Sequence, residues 1–210
     1  MGRPTDFRFT VTGPDGEPVT GYEVEHEKKM HFIVVSRDLA SFQHLHPEMA
    51  ADGVWSVKLT LGADLLAAGD YAPRAPAGVS RTATVDGHTV TLSGDLVPGR
   101  SSKLTLTVSK DGKPVTDLQP YLGAYGHLVA LRAGDLAYLH VHPDDGAQAG
   151  PEITFYAEVP SSGGYRLFVD FQHGGKVRTA GFTARAGTGR AEPARPEPAA
   201  EPVRVHHRPR

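Results

Sequence analysis

The chain has 210 residues, with 22 Lys and Arg against 24 Asp and Glu, so it carries almost no net charge. This balance argues against a nucleic-acid partner, which would need a concentrated positive surface. No stretch is apolar for long enough to cross a bilayer, and no apolar segment typical of a secretion signal follows Met1. The absence of cysteine excludes disulfides and thiolate metal sites.

Short alternating runs predict an antiparallel β protein from the amino end onward. Residues 7–12 alternate apolar and polar side chains before a Gly- and Pro-containing turn, and residues 54–61 alternate in the same way. Residues 82–92 have the pattern of a tight hairpin around Asp86-Gly87, which we expect to close a first structural unit. No segment shows the periodicity of a long helix.

Residues 30–49, MHFIVVSRDLASFQHLHPEM, have the pattern of a β-hairpin that carries histidines at its open end. With a loop at residues 36–39, His31 pairs with His44. Because side chains alternate along a strand, His46 lies on the same face. The sequence therefore predicts three imidazoles side by side.

The same pattern returns 96 residues later in residues 126–143, GHLVALRAGDLAYLHVHP. A loop at residues 132–135 pairs His127 with His140 and leaves His142 on their face. The Asp-Gly-x-Pro-Val-Thr segment at residues 15–20 also recurs at residues 111–116. We interpret this recurrence as an internal duplication.

The duplication predicts two tandem antiparallel β-sandwiches of immunoglobulin-like or cupredoxin-like type, over residues 1–99 and 100–186. Residues 187–210 consist mostly of Gly, Ala, Pro, Glu and Arg. They contain too few large apolar side chains to form a core, so we expect a disordered tail.

Three imidazoles on one face of a hairpin form a candidate metal site, because neutral imidazole binds transition metals. His173 follows a late strand, residues 165–171, that the first unit replaces with a proline-containing segment, and it is a candidate fourth ligand of the second site. Without cysteine a tight structural zinc site is disfavoured, so copper is the predicted metal and zinc the alternative. The predicted ligands are His31, His44 and His46 at the first site and His127, His140, His142 and His173 at the second.

Other interpretations of the histidines remain open at the level of sequence. A His-Pro pair can simply end a strand, and the protein would then be a metal-free adhesive or structural module. We expect such a structural role for His26 and His88, each of which is solitary in sequence. The His140-Val141-His142 segment resembles the His-x-His strand of copper–zinc superoxide dismutases, which makes a copper oxidoreductase a third alternative. No nucleophile–histidine–acid arrangement or phosphate-binding Gly loop is visible, and we predict that the protein is not an enzyme.

The Asp-Gly-x-Pro-Val-Thr segment, the two histidine hairpins and the Gly-Gly-Tyr-Arg-Leu-Phe segment at residues 163–168 resemble a group of actinobacterial proteins often described as secreted or heavy-metal-associated. The resemblance covers roughly residues 7–184. It implies an extracytoplasmic, metal-related role, while the lack of a leader in this chain leaves the cytoplasm as the alternative. The predicted fold is also similar to small periplasmic copper-resistance sandwiches. The expected function is therefore non-catalytic copper binding for buffering, storage or delivery, with a metal ion as the partner.

Overall fold

The structure is a computed structural model that describes residues 4–60, 78–144, 146 and 148–187. Every regular element in these ranges is a β-strand, and all pairings are antiparallel, which confirms the predicted all-β class. The same ranges offer no helix of the length and apolarity that a membrane span requires. The predicted disordered tail lies, from residue 188 onward, outside the described residues.

The amino-terminal part of the chain forms a small sheet and a separate hairpin. The sheet has the order β1-β5-β4, and its strands β1 and β5 pair from Pro4–Thr60 to Thr10–Val54. The hairpin consists of β2 and β3 and leans on this sheet, because the Phe32 ring stacks on Phe9 at 5.2 Å. The strands are β1 (Pro4–Thr10), β2 (Phe32–Val35), β3 (Phe42–Leu45), β4 (Glu48–Met49) and β5 (Val54–Thr60).

The remaining strands form one large sheet in the order β14-β13-β10-β11-β12-β8-β7-β6, with β9 paired to β8. A bridge between Ser80 and Thr183 brings the start of β6 next to β14 and so closes the sheet on itself. Side chains that alternate inward, such as Leu106, Phe155 and Phe171, fill the enclosed core. The strands are β6 (Thr82–Val85), β7 (His88–Ser93), β8 (Ser101–Lys110), β9 (Lys113–Pro114), β10 (His127–Arg132), β11 (Tyr138–Pro143), β12 (Glu152–Glu158), β13 (Gly163–His173) and β14 (Lys176–Ala186).

The hairpin of β6 and β7 is placed differently from the expectation that it closes the first unit. The predicted turn is present, with Asp86 and Gly87 both at positive φ. However, β7 pairs with β8 from His88–Lys110 to Ser93–Thr105. Its apolar side chains, Val90 and Leu92, are buried in the core of the large sheet, and this burial explains why the hairpin lies there.

The β2–β3 hairpin lies between the small sheet and the outer face of the large one. On one side, the Gln43 side chain exchanges two hydrogen bonds with the Thr60 backbone, at 2.8 and 3.0 Å. On the other side, the Phe42 ring stacks on Phe168 of β13 with centroids 4.1 Å apart. Because successive residues of a strand face opposite ways, His44 shares the face of Phe42 and points towards the large sheet. The two parts of the chain therefore meet along the histidine-bearing face.

Both histidine hairpins pair two residues away from the predicted register. Ile33 lies opposite His44, and Val129 lies opposite His140. The loops begin one residue later than predicted, as hydrogen bonds from Ser36 N to Ser41 O and from Arg132 N to Ala137 O show, each 3.0 Å long. The predicted His31–His44 and His127–His140 pairs are therefore wrong. A shift of two residues nevertheless preserves the alternation on which the predicted triads depend.

Side chains in the first loop explain its position. Asp38 Oδ1 accepts hydrogen bonds from the Ser36 hydroxyl at 2.6 Å and from the Ala40 amide at 3.1 Å. The Ser41 amide in turn donates to the Ser36 hydroxyl at 2.9 Å. Such local bonds to Asp and Ser stabilise a particular turn, and here they fix the loop at residues 37–40.

Candidate metal centre

The first predicted triad is assembled in the structure. His31, His44 and His46 each offer a ring nitrogen, and these three nitrogens lie within 4.8 Å of one another. His31 Nδ1 and His44 Nε2 are 3.0 Å apart. The ring of His46 lies 5.0 Å from that of His31 and 4.7 Å from that of His44, centroid to centroid. Strand alternation that continues one residue beyond β2 and β3 thus yields a compact three-nitrogen group.

The outer nitrogens of two of these rings are held by oxygen acceptors. His31 Nε2 donates to the Glu25 carbonyl at 3.1 Å, and His44 Nδ1 donates to Asp170 Oδ2 at 2.8 Å. Carbonyl and carboxylate oxygens accept but cannot donate, so both outer nitrogens carry the ring proton. In the neutral form of each ring, His31 Nδ1 and His44 Nε2 therefore present bare lone pairs, and hydrogen-bonded outer nitrogens of this kind are typical of metal-ligating histidines.

Asp170 belongs to β13 of the large sheet, so its hydrogen bond with His44 connects the two parts of the chain. Its side chain is only 6% exposed, as is that of His44. Its second oxygen, Oδ1, accepts a hydrogen bond from Thr179 Oγ1 on β14 at 2.6 Å. A carboxylate held at both oxygens fixes the orientation of the His44 ring.

In the metal-free protein, the ring nitrogens that face one another within the triad lack hydrogen-bond donors. Two lone pairs 3.0 Å apart cannot hydrogen-bond to each other. His46 Nε2 is buried and has no hydrogen-bond partner among the described residues, and a buried unsatisfied nitrogen costs about 1–3 kcal/mol. A single cation bound between the three rings would relieve both defects. Two nitrogens at about 2.0 Å from a tetrahedral metal lie about 3.3 Å apart, close to the spacing seen.

Burial favours the neutral, metal-binding form of two of the three imidazoles, His31 and His46. Burial, followed by the positive charges of His44 and His31 when protonated, lowers the pKa of His46 to about 4. Burial also lowers the pKa of His31. Both imidazoles are consequently uncharged near neutral pH, as metal coordination requires.

The metal-free protein is expected to lose stability as the pH falls below the ordinary titration range of histidine. An unfolded histidine titrates near ~6.5, whereas the pKa of His46 in the folded protein is about 4. Between these values the unfolded chain binds more protons, so the stabilisation present above the upper value is lost towards the lower one. Thermal denaturation between about pH 7.5 and about pH 4.5 measures this loss. The melting temperature should fall less steeply with decreasing pH for His46→Leu than for the parent. Equal pH dependences would contradict the low pKa of His46 in the folded protein.

The second predicted triad is described only in part. His127 is 8% exposed, and its Nε2 donates to the Tyr121 carbonyl at 2.7 Å. Burial lowers the pKa of His127 as well. In the sheet, His140 lies opposite Val129 and His142 lies opposite Tyr156, while the side chains of these two histidines lie outside the described part of the structure.

His127 lies beside the first triad rather than at a distant site. It is paired with Asp170, the same residue that holds His44. The ring of His26 lies 5.5 Å from that of His127 and 6.1 Å from that of His31. His26 is solitary in sequence but not in the fold, because the fold brings His31 and His127 next to it.

His173 is not brought to this group, contrary to the prediction. Its Nδ1 lies 2.8 Å from His88 Nε2, and its Nε2 lies 3.2 Å from Asp117 Oδ1. Along β13, position 173 shares the face of Phe171, which is in the core, whereas Asp170 lies on the opposite face. His88 is fully buried against His173, so neither residue is solitary.

Asp170 and Tyr121 are the members of the site that sequence reasoning missed. A signal for Asp170 exists, because it is the single acid within the apolar run of residues 165–171. A buried carboxylate requires a partner, so its position predicts a hydrogen-bonded or charged neighbour. The identity of that neighbour, 126 residues away in sequence, does not follow from the strand itself.

Comparisons with known proteins place the chain in a family without identifying an activity. No curated protein sequence matches it. A crystal structure of a DUF4426 family protein from Pseudomonas aeruginosa PAO1 is similar over 50% of this chain and 96% of its own, with 8% identity and a TM-score of 0.39. A DUF4785 family protein from Legionella pneumophila is similar over 66% of this chain and 33% of its own, with 7% identity and a TM-score of 0.35. Residues 1–73 and 83–188 match the family model described as a domain of unknown function, DUF8832, and the chain belongs to that family.

Proposed function

We propose that the protein binds a transition-metal ion through His31, His44 and His46 in order to buffer, store or deliver it, without catalysing a reaction. The observation that supports this proposal is the arrangement of the ring nitrogens within the triad. Two lone pairs lie 3.0 Å apart, and a third buried nitrogen has no partner among the described residues. Such an arrangement is unfavourable in the empty protein and favourable around a cation.

Copper is the proposed metal, and zinc is the alternative. The donor set is three neutral imidazoles, which suit both ions, and Cu(II) stands above Zn(II) in the general order of affinity. Thiolates, which would favour a structural zinc site, are absent from the sequence. The ligand-binding nitrogens are oriented in advance by Glu25 and Asp170, which lowers the cost of organising the site.

The test is a titration of the full chain with Cu(II), Cu(I) and Zn(II), in a variant that carries His206→Ala and His207→Ala. These replacements remove the two histidines near the carboxyl end, which could otherwise contribute weak binding. We expect saturable binding with copper tightest. At a free metal concentration of 100 times Kd, the free energy of unfolding should rise by about 2.7 kcal/mol. Calorimetry and thermal denaturation measure the two effects.

Two results would contradict the proposal. One is the absence of saturable binding of any of the three ions. The other is binding that leaves the melting temperature unchanged, because an ion held by residues at the end of the folded β2–β3 hairpin must stabilise the folded state. Either result would favour a metal-free structural module.

A further inference from the structure

We propose that His127 and His26 hold a second metal ion beside the triad, so that the two parts of the chain together form a two-copper centre. This inference rests on the proposed function of the triad. It adds a second position, a stoichiometry and a set of ligands that the triad alone does not supply.

His127 repeats the local design of His31. In each case Nε2 donates to the carbonyl of the residue six positions earlier, Tyr121 at 2.7 Å and Glu25 at 3.1 Å. Since these nitrogens carry the proton, Nδ1 of each ring is left as a lone pair. His31 Nδ1 faces the triad, and His127 therefore offers the equivalent donor from the large sheet.

The turns that supply these carbonyls are also alike. Glu25 N donates to Lys28 O at 2.9 Å, and Tyr121 N donates to Ala124 O at 2.8 Å. The two central residues of each turn have positive φ, His26 and Glu27 in one, Leu122 and Gly123 in the other. The same backbone frame thus presents a histidine from each part of the chain.

His26 occupies a backbone conformation that is uncommon for a residue with a side chain. Its φ is +47°, in the left-handed region. Backbone strain of this kind concentrates at functional sites, where surrounding structure maintains it. Here the strained turn holds the His26 ring 5.5 Å from His127, edge to face.

The surrounding charges and distances connect the second position with the first. The Tyr121 ring lies 5.8 Å from that of His127 and 6.2 Å from that of His46. Asp170 is buried, lies opposite His127 in the sheet and accepts a hydrogen bond from His44 Nδ1. A buried carboxylate between the two groups supplies negative charge that offsets the charge of two cations. The two positions are consequently neighbours within one centre.

The experiment measures copper per chain after removal of free metal, in the full chain with His206→Ala and His207→Ala. We expect two equivalents in this parent and one in His127→Gln. His26→Gly is the second variant: it relieves the left-handed strain, so it should fold at least as well, and it should also retain one equivalent. His173→Ala, on the opposite face of β13, is the matched control and should retain two.

Electron paramagnetic resonance of the Cu(II)-loaded proteins provides an independent readout. Two neighbouring Cu(II) ions broaden each other's signal by magnetic coupling, whereas His26→Gly should show the sharp signal of an isolated ion. One equivalent in the parent would overturn the two-copper centre and leave the triad proposal standing. Two equivalents in every variant, or two uncoupled ions in the parent, would also overturn it. No bound copper in the parent would instead contradict the proposed function.

Discussion

Replacing His46 by Leu is expected to lower the copper affinity of the triad by at least about 100-fold, since loss of residues that only orient a ligand already costs about 10- to 100-fold. The metal-free variant should be at least as stable as the parent. Its buried Nε2 has no hydrogen-bond partner among the described residues, so an apolar side chain removes an unsatisfied group. Calorimetric titration measures the first effect, and thermal denaturation without metal measures the second.

This opposition of affinity and stability separates a metal ligand from a structural histidine. His173→Leu is the matched control, because His173 contacts His88 and Asp117 on the other face of β13. It should reduce the melting temperature and leave the triad's affinity unchanged. A His46→Leu variant that is less stable than the parent, yet binds copper equally well, would show that His46 is structural.

Asp170→Asn is expected to weaken copper binding by about 10- to 100-fold, the usual cost of losing the partner that orients a metal-ligating histidine. Asp170 accepts hydrogen bonds at both oxygens, from His44 Nδ1 at 2.8 Å and from Thr179 Oγ1 at 2.6 Å. An amide has only one oxygen. If its nitrogen faces His44, the ring proton moves to Nε2 and the metal-binding lone pair is lost.

The control for Asp170→Asn is Thr179→Val, which removes one hydrogen bond to the carboxylate and leaves its charge and its bond to His44. Thr179→Val should lower the copper affinity much less than Asp170→Asn does. Equal affinities for Asp170→Asn and the parent would show that the ion does not depend on the orientation of the His44 ring. The same titration with both variants decides the point.

The alternation of apolar and polar residues was sufficient to predict the two histidine hairpins and the composition of the first triad. It was insufficient for their register, because the position of a loop, as in the first hairpin, depends on hydrogen bonds that Asp38 accepts from Ser36 and Ala40 rather than on strand periodicity. When the loop begins one residue later, the pairing of the strands shifts by two residues. Each residue then has a different partner but stays on the same face of the hairpin. The triad therefore formed as predicted although its predicted partners were wrong.

The contact between the two parts of the chain could not be predicted from either part alone. Strand periodicity shows that a strand has two faces but does not show which sheet covers each of them. One signal was present: all four residues of β2, Phe32–Val35, are apolar, as expected for a strand covered on both sides. Position 173 of β13 likewise shares the face of the buried residues 165, 167, 169 and 171, whereas Asp170 lies on the other face.

The position of the β2–β3 hairpin between two sheets has a kinetic consequence for any ion held there. His44 receives its carboxylate from β13, and the same face of the hairpin is held further along by the stacked rings of Phe42 and Phe168. Lifting the hairpin from β13 therefore separates His44 from Asp170 and weakens the ligand at that moment. The rate at which a metal ion leaves would then follow the rate of this opening. The stacking of Phe42 on Phe168, although it does not touch the ion, would slow its release.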